Sequence, residues 1–314
     1  MGASSVGNGK WAVVSGASSG IGAATARALA KDGWGVVLLA RNPEALGKIE
    51  NEIHEMGGRA LAIPTDASDG NAVKAAANRV ASECGSVELL VNAAGAGEWR
   101  FIEETSPEEI RSMMDAPFFA AFHLTQAFMP EMLLRGRGHL IHVNSPVSSM
   151  GWPGATGYMA ARWALRGLHE ALCLDLVGTG VRSSHVVFGK TKSAYFVNNP
   201  GSEERLPAIA KWVPEITPEQ CAGVIRAIVR RPRREVFYPF MLRVFSGLNR
   251  FFPSVVRALS VRTGVRHSTK AFGKSLGVIL VLVCGSSACA AIGAPTTAHS
   301  GKPRNRVASL LVSE

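Results

Sequence analysis

Cysteine is scarce in this sequence: Cys84, Cys173, Cys221, Cys284 and Cys289 are odd in number and mostly scattered. That distribution excludes a disulfide framework and points to a reducing compartment. Cys284 and Cys289 sit in an apolar run without nearby histidine or acidic ligands, so no metal is expected there. Room for a signal peptide is also lacking, because the first strand candidate opens at Trp11. No repeat recurs at solenoid periods. Acidic residues thin out late in the chain, where eleven lysines and arginines between Arg226 and Lys270 meet only Glu235. The net charge of +10 is therefore lopsided and favours an anionic neighbour, membrane or nucleic acid.

What is present predicts a large α/β body. Hydrophobic residues make up 47% of the 314, ample for a buried core. Strand-length apolar runs at 11–15, 36–40, 60–64, 87–92, 139–144, 181–188 and 236–238 alternate with helix-period segments. Such alternation predicts a Rossmann-type doubly wound parallel sheet of about seven strands, with helices on both faces, over residues 1–238. Residues 239–270 read as basic amphipathic helices, with Phe240, Leu242, Phe245, Leu248, Phe251 and Phe252 among arginines and an interruption at Pro253. Two readings of that stretch stay open, a pair of helices closing over a substrate cleft and contact with a membrane surface through 239–294. Nucleic acid is not expected, since phenylalanines and leucines outnumber what a solvated basic arm carries. Residues 271–314 read as an apolar run and a disordered tail. Within them, 276–294 is uncharged for long enough to span a bilayer but is rich in Gly, Ser and Ala and has no aromatic anchors. The expected location is cytoplasmic, either free or held at a membrane peripherally or by a tail anchor.

The sharpest local signal is Ser15-Gly16-Ala17-Ser18-Ser19-Gly20-Ile21-Gly22. Its glycines allow a tight turn, close approach of the backbone to a pyrophosphate, and close packing of the following helix on the strand. The helix N-terminus then offers amides and a favourable dipole to phosphates. The turn follows a strand, opens an alanine-rich helix and precedes a second strand at βαβ spacing, which makes chance a poor explanation. After that second strand comes Ala40-Arg41-Asn42, where an acidic residue would bind a ribose 2′-hydroxyl. An arginine there pairs with a 2′-phosphate, so NADP(H) is expected over NAD.

The ordered motifs resemble the short-chain dehydrogenases/reductases over roughly residues 10–240. The family fingerprint Thr-Gly-x-x-x-Gly-x-Gly is matched with Ser15 in place of Thr. The resemblance implies that Gly16, Ser18, Ser19, Gly20, Ile21, Gly22 and Arg41 hold the cofactor. It adds Asp66 and Ala67 after the third strand as adenine contacts and Asn92, in Asn92-Ala93-Ala94-Gly95, after the fourth. Asp66 is open to a second role, capping the next helix. Ser145 closes the fifth strand and Tyr158 follows at the family's catalytic spacing. Ser145 is thereby expected to bond a substrate carbonyl, and Tyr158 to pass a proton at its oxygen.

Two departures from the family mark this site. Helical spacing puts Arg162 on the face of Tyr158 where the family has lysine. Arginine supplies the cation that makes a phenolate accessible and can fork onto ribose hydroxyls, but it does not deprotonate and so cannot relay a proton. Pro117 stands at the family's catalytic asparagine; it is expected to open the helix and free the carbonyl of Met113 to hold a water. Ser193 takes the place of a threonine that meets the nicotinamide carboxamide, and Phe188 that of a proline. Loop aromatics Trp99, Trp152, Tyr195 and Phe196 suggest a hydrophobic carbonyl or alcohol. His123, His142, His169 and His185 read as satisfied core residues. The leading expectation is an NADP(H)-dependent oxidoreductase acting on a small lipophilic substrate. The alternatives are a non-redox isomerase, dehydratase or cyclase, or a catalytically silent nucleotide-binding protein. The resemblance also implies a homo-dimer or tetramer formed through the helices carrying Phe118 and Tyr158.

Overall fold

Valine, leucine and isoleucine fill the apolar runs, and such runs make strands that are buried on both faces. The computed structural model describes residues 9–266; the expectations for 271–314 lie outside the described residues. Seven strands form one sheet: β1 (Trp11–Ser15), β2 (Gly35–Ala40), β3 (Arg59–Pro64), β4 (Val87–Asn92), β5 (Gly138–Asn144), β6 (Val181–Phe188) and β7 (Glu235–Tyr238). All neighbours pair in parallel, in the order β3-β2-β1-β4-β5-β6-β7. The winding reverses between β1 and β4, and a crevice opens there beyond the carboxyl ends of the strands.

Helices cover both faces. On one, α1 (Gly20–Lys31) and α2 (Pro43–Glu55) bury Leu29, Leu46 and Ile53 against Val14, Val36 and Val91. On the other, α3 (Gly70–Glu83) buries Val73 and Val80 against Val13 and Val37. There too lie α4 (Pro107–Met114), α5 (Ala120–Leu134) and α6 (Thr156–Asp175), from which Leu124, Phe128 and Leu172 pack around Leu90 and Leu140. After β6 come the single turn α7 (Tyr195–Asn198) and α8 (Pro218–Arg230), whose Cys221 and Ile225 join the first face. Caps set the starts: Asn42 accepts from the Ala45 amide at 3.0 Å, Asp69 from Asn71 at 2.8 Å, and Thr217 from Gln220 at 3.3 Å. Cys84, Cys173 and Cys221 are all free thiols.

The amphipathic stretch forms α9 (Phe240–Phe251) and α10 (Pro253–Thr263). Pro253 stands in the first turn of α10, where its missing amide costs nothing, so it starts a helix instead of kinking one. Leu242 and Val256 are buried with Met150 and Val187, which folds the pair back onto the sheet's carboxyl end. Among the described residues no helix is long and apolar enough to cross a membrane.

Candidate active site

The glycine turn is built by close approach. Gly16 adopts φ +67°, and a Cβ there would lie 2.9 Å from the Ala94 amide nitrogen. A Cβ on Gly22 would lie 2.2 Å from the carbonyl oxygen of Gly16, so only glycine lets α1 ride on the turn. The Ser15 hydroxyl accepts from the amides of Ala93 (3.1 Å) and Ala94 (3.2 Å), pinning the end of β1 to the loop after β4. At the start of α1, Ser19 makes no side-chain cap and the first turn has no acidic residue. The free amides therefore face the crevice, as an anion site requires.

A cavity of about 720 Å³ follows the crevice. Ser18, Ser19, Gly20, Ile21, Gly22, Arg41, Asp66, Ala67 and Ser193 line it, as do Ser145, Tyr158 and Arg162. Ser193 stands across from the turn, its Cβ 3.7 Å from where a Cβ on Gly20 would be. This cradle fits a dinucleotide: bare amides at one helix end, glycines where backbone must come close, and a cation at the margin. That cation, Arg41, is exposed and free to meet a phosphate. Asp66 does not cap α3, because Asp69 does; Asp66 instead accepts from the hydroxyl (2.7 Å) and amide (3.0 Å) of Ser68. Those bonds first, and Arg41 after them, hold its carboxyl below the usual aspartate range. Asn92 departs from expectation. Its side chain turns into the sheet and meets His142 Nδ1 at 3.2 Å, and the cavity wall passes to Ala93, Ala94 and Gly95.

Ser145 and Tyr158 are placed by one set of bonds between β5 and α6. Asn144 Nδ2 donates to the carbonyl of Arg162 at 3.0 Å, and Asn144 Oδ1 accepts from the Ser145 amide at 2.8 Å. Ser148 returns its amide (3.0 Å) and hydroxyl (2.7 Å) to the Ser145 carbonyl. The Ser145 hydroxyl has no partner among the described residues and is left for a ligand. Arg162 is buried, with its guanidinium carbon 5.1 Å from the centre of the Tyr158 ring. It donates from Nη1 to the Val143 carbonyl at 3.3 Å, while Nε has no partner among the described residues. A Cβ on Gly95 would lie 2.5 Å from Nη2, so glycine there makes the room that the arginine fills.

A turn of glycines, a strand-end serine and a tyrosine thus share one cavity in a fixed order. Residues 10–203 match the model of the short chain dehydrogenase family. The chain belongs to the short-chain dehydrogenase/reductase family. Among its relatives is an uncharacterized oxidoreductase of Mycobacterium bovis, 34% identical over 232 residues, covering 72% of this chain and 66% of that one. The chain thus spans a little under two thirds of that relative's length. Cyclohexanol dehydrogenase of an Acinetobacter species is 34% identical over 187 residues, covering 59% of this chain and 74% of that one. A metagenomic short-chain oxidoreductase solved with NADP superposes with a TM-score of 0.62 at 32% identity, covering 74% of this chain and 98% of that one. The chain shares the family and the fold of that oxidoreductase, which was solved with NADP bound.

The departure at Pro117 is not the open helix expected. A π-turn spans Asp115–Phe119, with the Ala120 amide reaching back to the Asp115 carbonyl. The chain swells by one residue and stays helical into α5, because the wider turn absorbs the proline without breaking the ladder. Pro117 itself is buried, and Ser112, Asp115 and Ala116 face the cavity. The Met113 carbonyl still lacks its i+4 donor, since proline has no amide.

A lid, residues 195–202, closes over the aromatic end of the cavity. Asn199 Oδ1 accepts from the Gly97 amide (3.1 Å), and Ser202 Oγ from the Trp99 amide (3.0 Å). The Tyr195 hydroxyl accepts from Trp99 Nε1 (3.1 Å) and donates to the Gly97 carbonyl (2.7 Å). Burial, then the neighbouring Tyr158, push the Tyr195 phenol well above its ordinary range, so it stays protonated and structural. The Trp99 ring lies 5.3 Å from Trp152, 5.6 Å from Tyr158 and 5.9 Å from Phe196. Asn199 and Ser202 carried no sequence signal, because their partners lie about a hundred residues away.

His142, His169 and His185 are fully buried, and their rings follow one another at 6.1 and 5.4 Å. His169 meets the Ser183 hydroxyl at 2.8 Å and His185 meets Glu235 at 3.2 Å. Asn92, His142, His185 and Glu235 are register partners across four strands, a polar row inside the sheet face under α6. Among the described residues no group of metal-binding side chains is assembled.

Proposed function

We propose that this enzyme uses NADP(H) to interconvert a lipophilic ketone or aldehyde and its alcohol. One observation carries the reading: a single cavity runs from Arg41, past Ser145, Tyr158 and Arg162, to a wall of Trp99, Trp152, Phe196, Leu242, Phe245 and Val256. Its first end suits a phosphate and its last end an apolar body. The name of the related cyclohexanol dehydrogenase points the same way.

A dinucleotide held there would supply or accept the hydride. Arg41 would pair with its 2′-phosphate, and the amides at the start of α1 would hold the pyrophosphate. Ser145 donates a hydrogen bond to the substrate oxygen and fixes its position. In reduction the Tyr158 hydroxyl gives its proton to that oxygen; in oxidation the Tyr158 phenolate takes the proton away. Arg162, lying over the Tyr158 ring, stabilises the phenolate by its charge and keeps its own proton. The test is turnover of a panel of lipophilic carbonyls by the purified protein with NADPH and with NADH, alongside direct measurement of cofactor binding. Binding without turnover across the panel rejects this substrate class, and equal use of NADH rejects the assignment to Arg41.

A further inference from the structure

Helices α9 and α10 carry a face that the proposed chemistry does not use. Phe240, Val244, Leu248 and Phe251 recur at successive turns of α9 and form one stripe, with Phe240 and Phe251 exposed by 70% and 75%. Phe252, Val255 and Leu259 continue it onto α10, all exposed. Leu242, Val256 and Ser260, on the other side of the same helices, are buried against the cavity. Arg243 and Arg250 border the stripe on α9 and Arg262 borders it on α10, and none of the three forms an ion pair among the described residues. Residues 236–313 contain ten lysines and arginines and no aspartate or glutamate, a charge equal to the net +10 of the whole chain.

Contiguous exposed apolar surface of this kind marks a contact. Its arginine border makes a second copy of the same face a poor occupant, since like charges would meet. An acidic protein would satisfy the arginines but not a run of bare phenylalanines. We propose that α9 and α10 dock on the anionic leaflet of a lipid bilayer, with Phe240, Phe251 and Phe252 at headgroup depth and Arg243, Arg250 and Arg262 on lipid phosphates and carboxylates. The inner side of the same helices supplies Leu242, Phe245 and Val256 to the cavity, so docking sets the substrate end beside the bilayer. That last point rests on the reading of the site as one for lipophilic carbonyls; the docking itself does not.

Flotation of the full chain with vesicles, in the absence of cofactor, tests it. Binding is expected to vesicles of about three parts phosphatidylcholine to one part phosphatidylserine, not to phosphatidylcholine alone, and it should weaken as salt rises. Arg243→Gln, Arg250→Gln and Arg262→Gln together are expected to lower affinity about a hundredfold, at roughly fivefold per arginine. Phe240→Ser, Phe251→Ser and Phe252→Ser together are expected to abolish flotation. All six side chains are exposed, and an unchanged melting temperature confirms that each variant is folded. Failure of the full chain to float with phosphatidylserine overturns the proposal. Flotation that survives both sets but is lost with Leu280→Asp and Leu282→Asp also overturns it, by assigning the contact to 276–294. A failed redox reading leaves flotation intact, and failed flotation leaves turnover of detergent-dispersed substrate intact, so the two are separable.

Discussion

Arg162 stands where the family's lysine would, with its guanidinium against the Tyr158 ring. In the proposed chemistry it supplies charge and no proton relay, since a guanidinium is a donor only. Arg162→Lys is therefore expected to keep or raise turnover, as read from kcat; a loss would mean that the cavity beside Gly95 is shaped for a guanidinium. Tyr158→Phe removes the group that moves the proton, and kcat should fall by about 10²- to 10⁴-fold while NADPH still binds. Arg41→Glu puts a carboxylate beside the 2′-phosphate, and KM for NADPH should rise roughly tenfold or more with little change for NADH. Steady-state kinetics with the two cofactors side by side separates that outcome from general damage. That Ser145, Tyr158 and Arg162 come together at one cavity was legible from motif and spacing. The inward turn of Asn92 was not, because its partner His142 lies fifty residues away on the neighbouring strand.

At the level of elements, β5, β6 and α6 share a buried histidine cluster whose behaviour with pH follows from its dryness. Burial holds the imidazoles of His139 and His169 at about 4 and that of His142 at about 3, below the ordinary value of 6.5. The folded values are depressed, so the unfolded chain binds protons first. Stability is complete above pH 6.5 and is lost progressively as pH falls from there towards the folded values. The loss is on the order of 3 kcal/mol per histidine by the time all are charged. Urea unfolding at pH 7 and pH 5 checks this; a midpoint that does not fall at pH 5 would mean that the histidines are solvated. The strands themselves were readable almost to the residue, with β2, β3, β5 and β7 each one residue longer at the start than the apolar pattern predicts. The π-turn was not, because a proline in a helical pattern signals a break, and only the packing of α5 below it decides that the chain swells instead.

For the whole molecule, the cavity joins segments far apart in sequence: the turn at 15–22, the loop at 93–99, α6, the lid at 195–202 and α9–α10. A ligand that bridges them binds only the folded state. NADPH at about a hundred times its Kd should add about 2.7 kcal/mol, which for a chain of this size raises Tm by roughly 4–5 °C. Thermal unfolding with and without NADPH measures it, and NADH at the same concentration should do less.

By itself the sequence determined the sheet, its parallel winding, the phosphate turn and the order of Ser145, Tyr158 and Arg162. These rest on periodicity and on short spacings, which a chain carries locally. Only the tertiary structure decided that Asp69 and not Asp66 caps α3, that Asn92 belongs to the histidine row, and that Asn199 and Ser202 fasten the lid to the loop at Gly97 and Trp99. Each of those depends on which of several polar groups reaches a partner first, and that is settled by distances between elements that no spacing along the chain encodes. The two-sidedness of α9 and α10 lies between these cases: the amphipathic pattern was plain, but which side faces the cavity and which faces outward is a matter of packing.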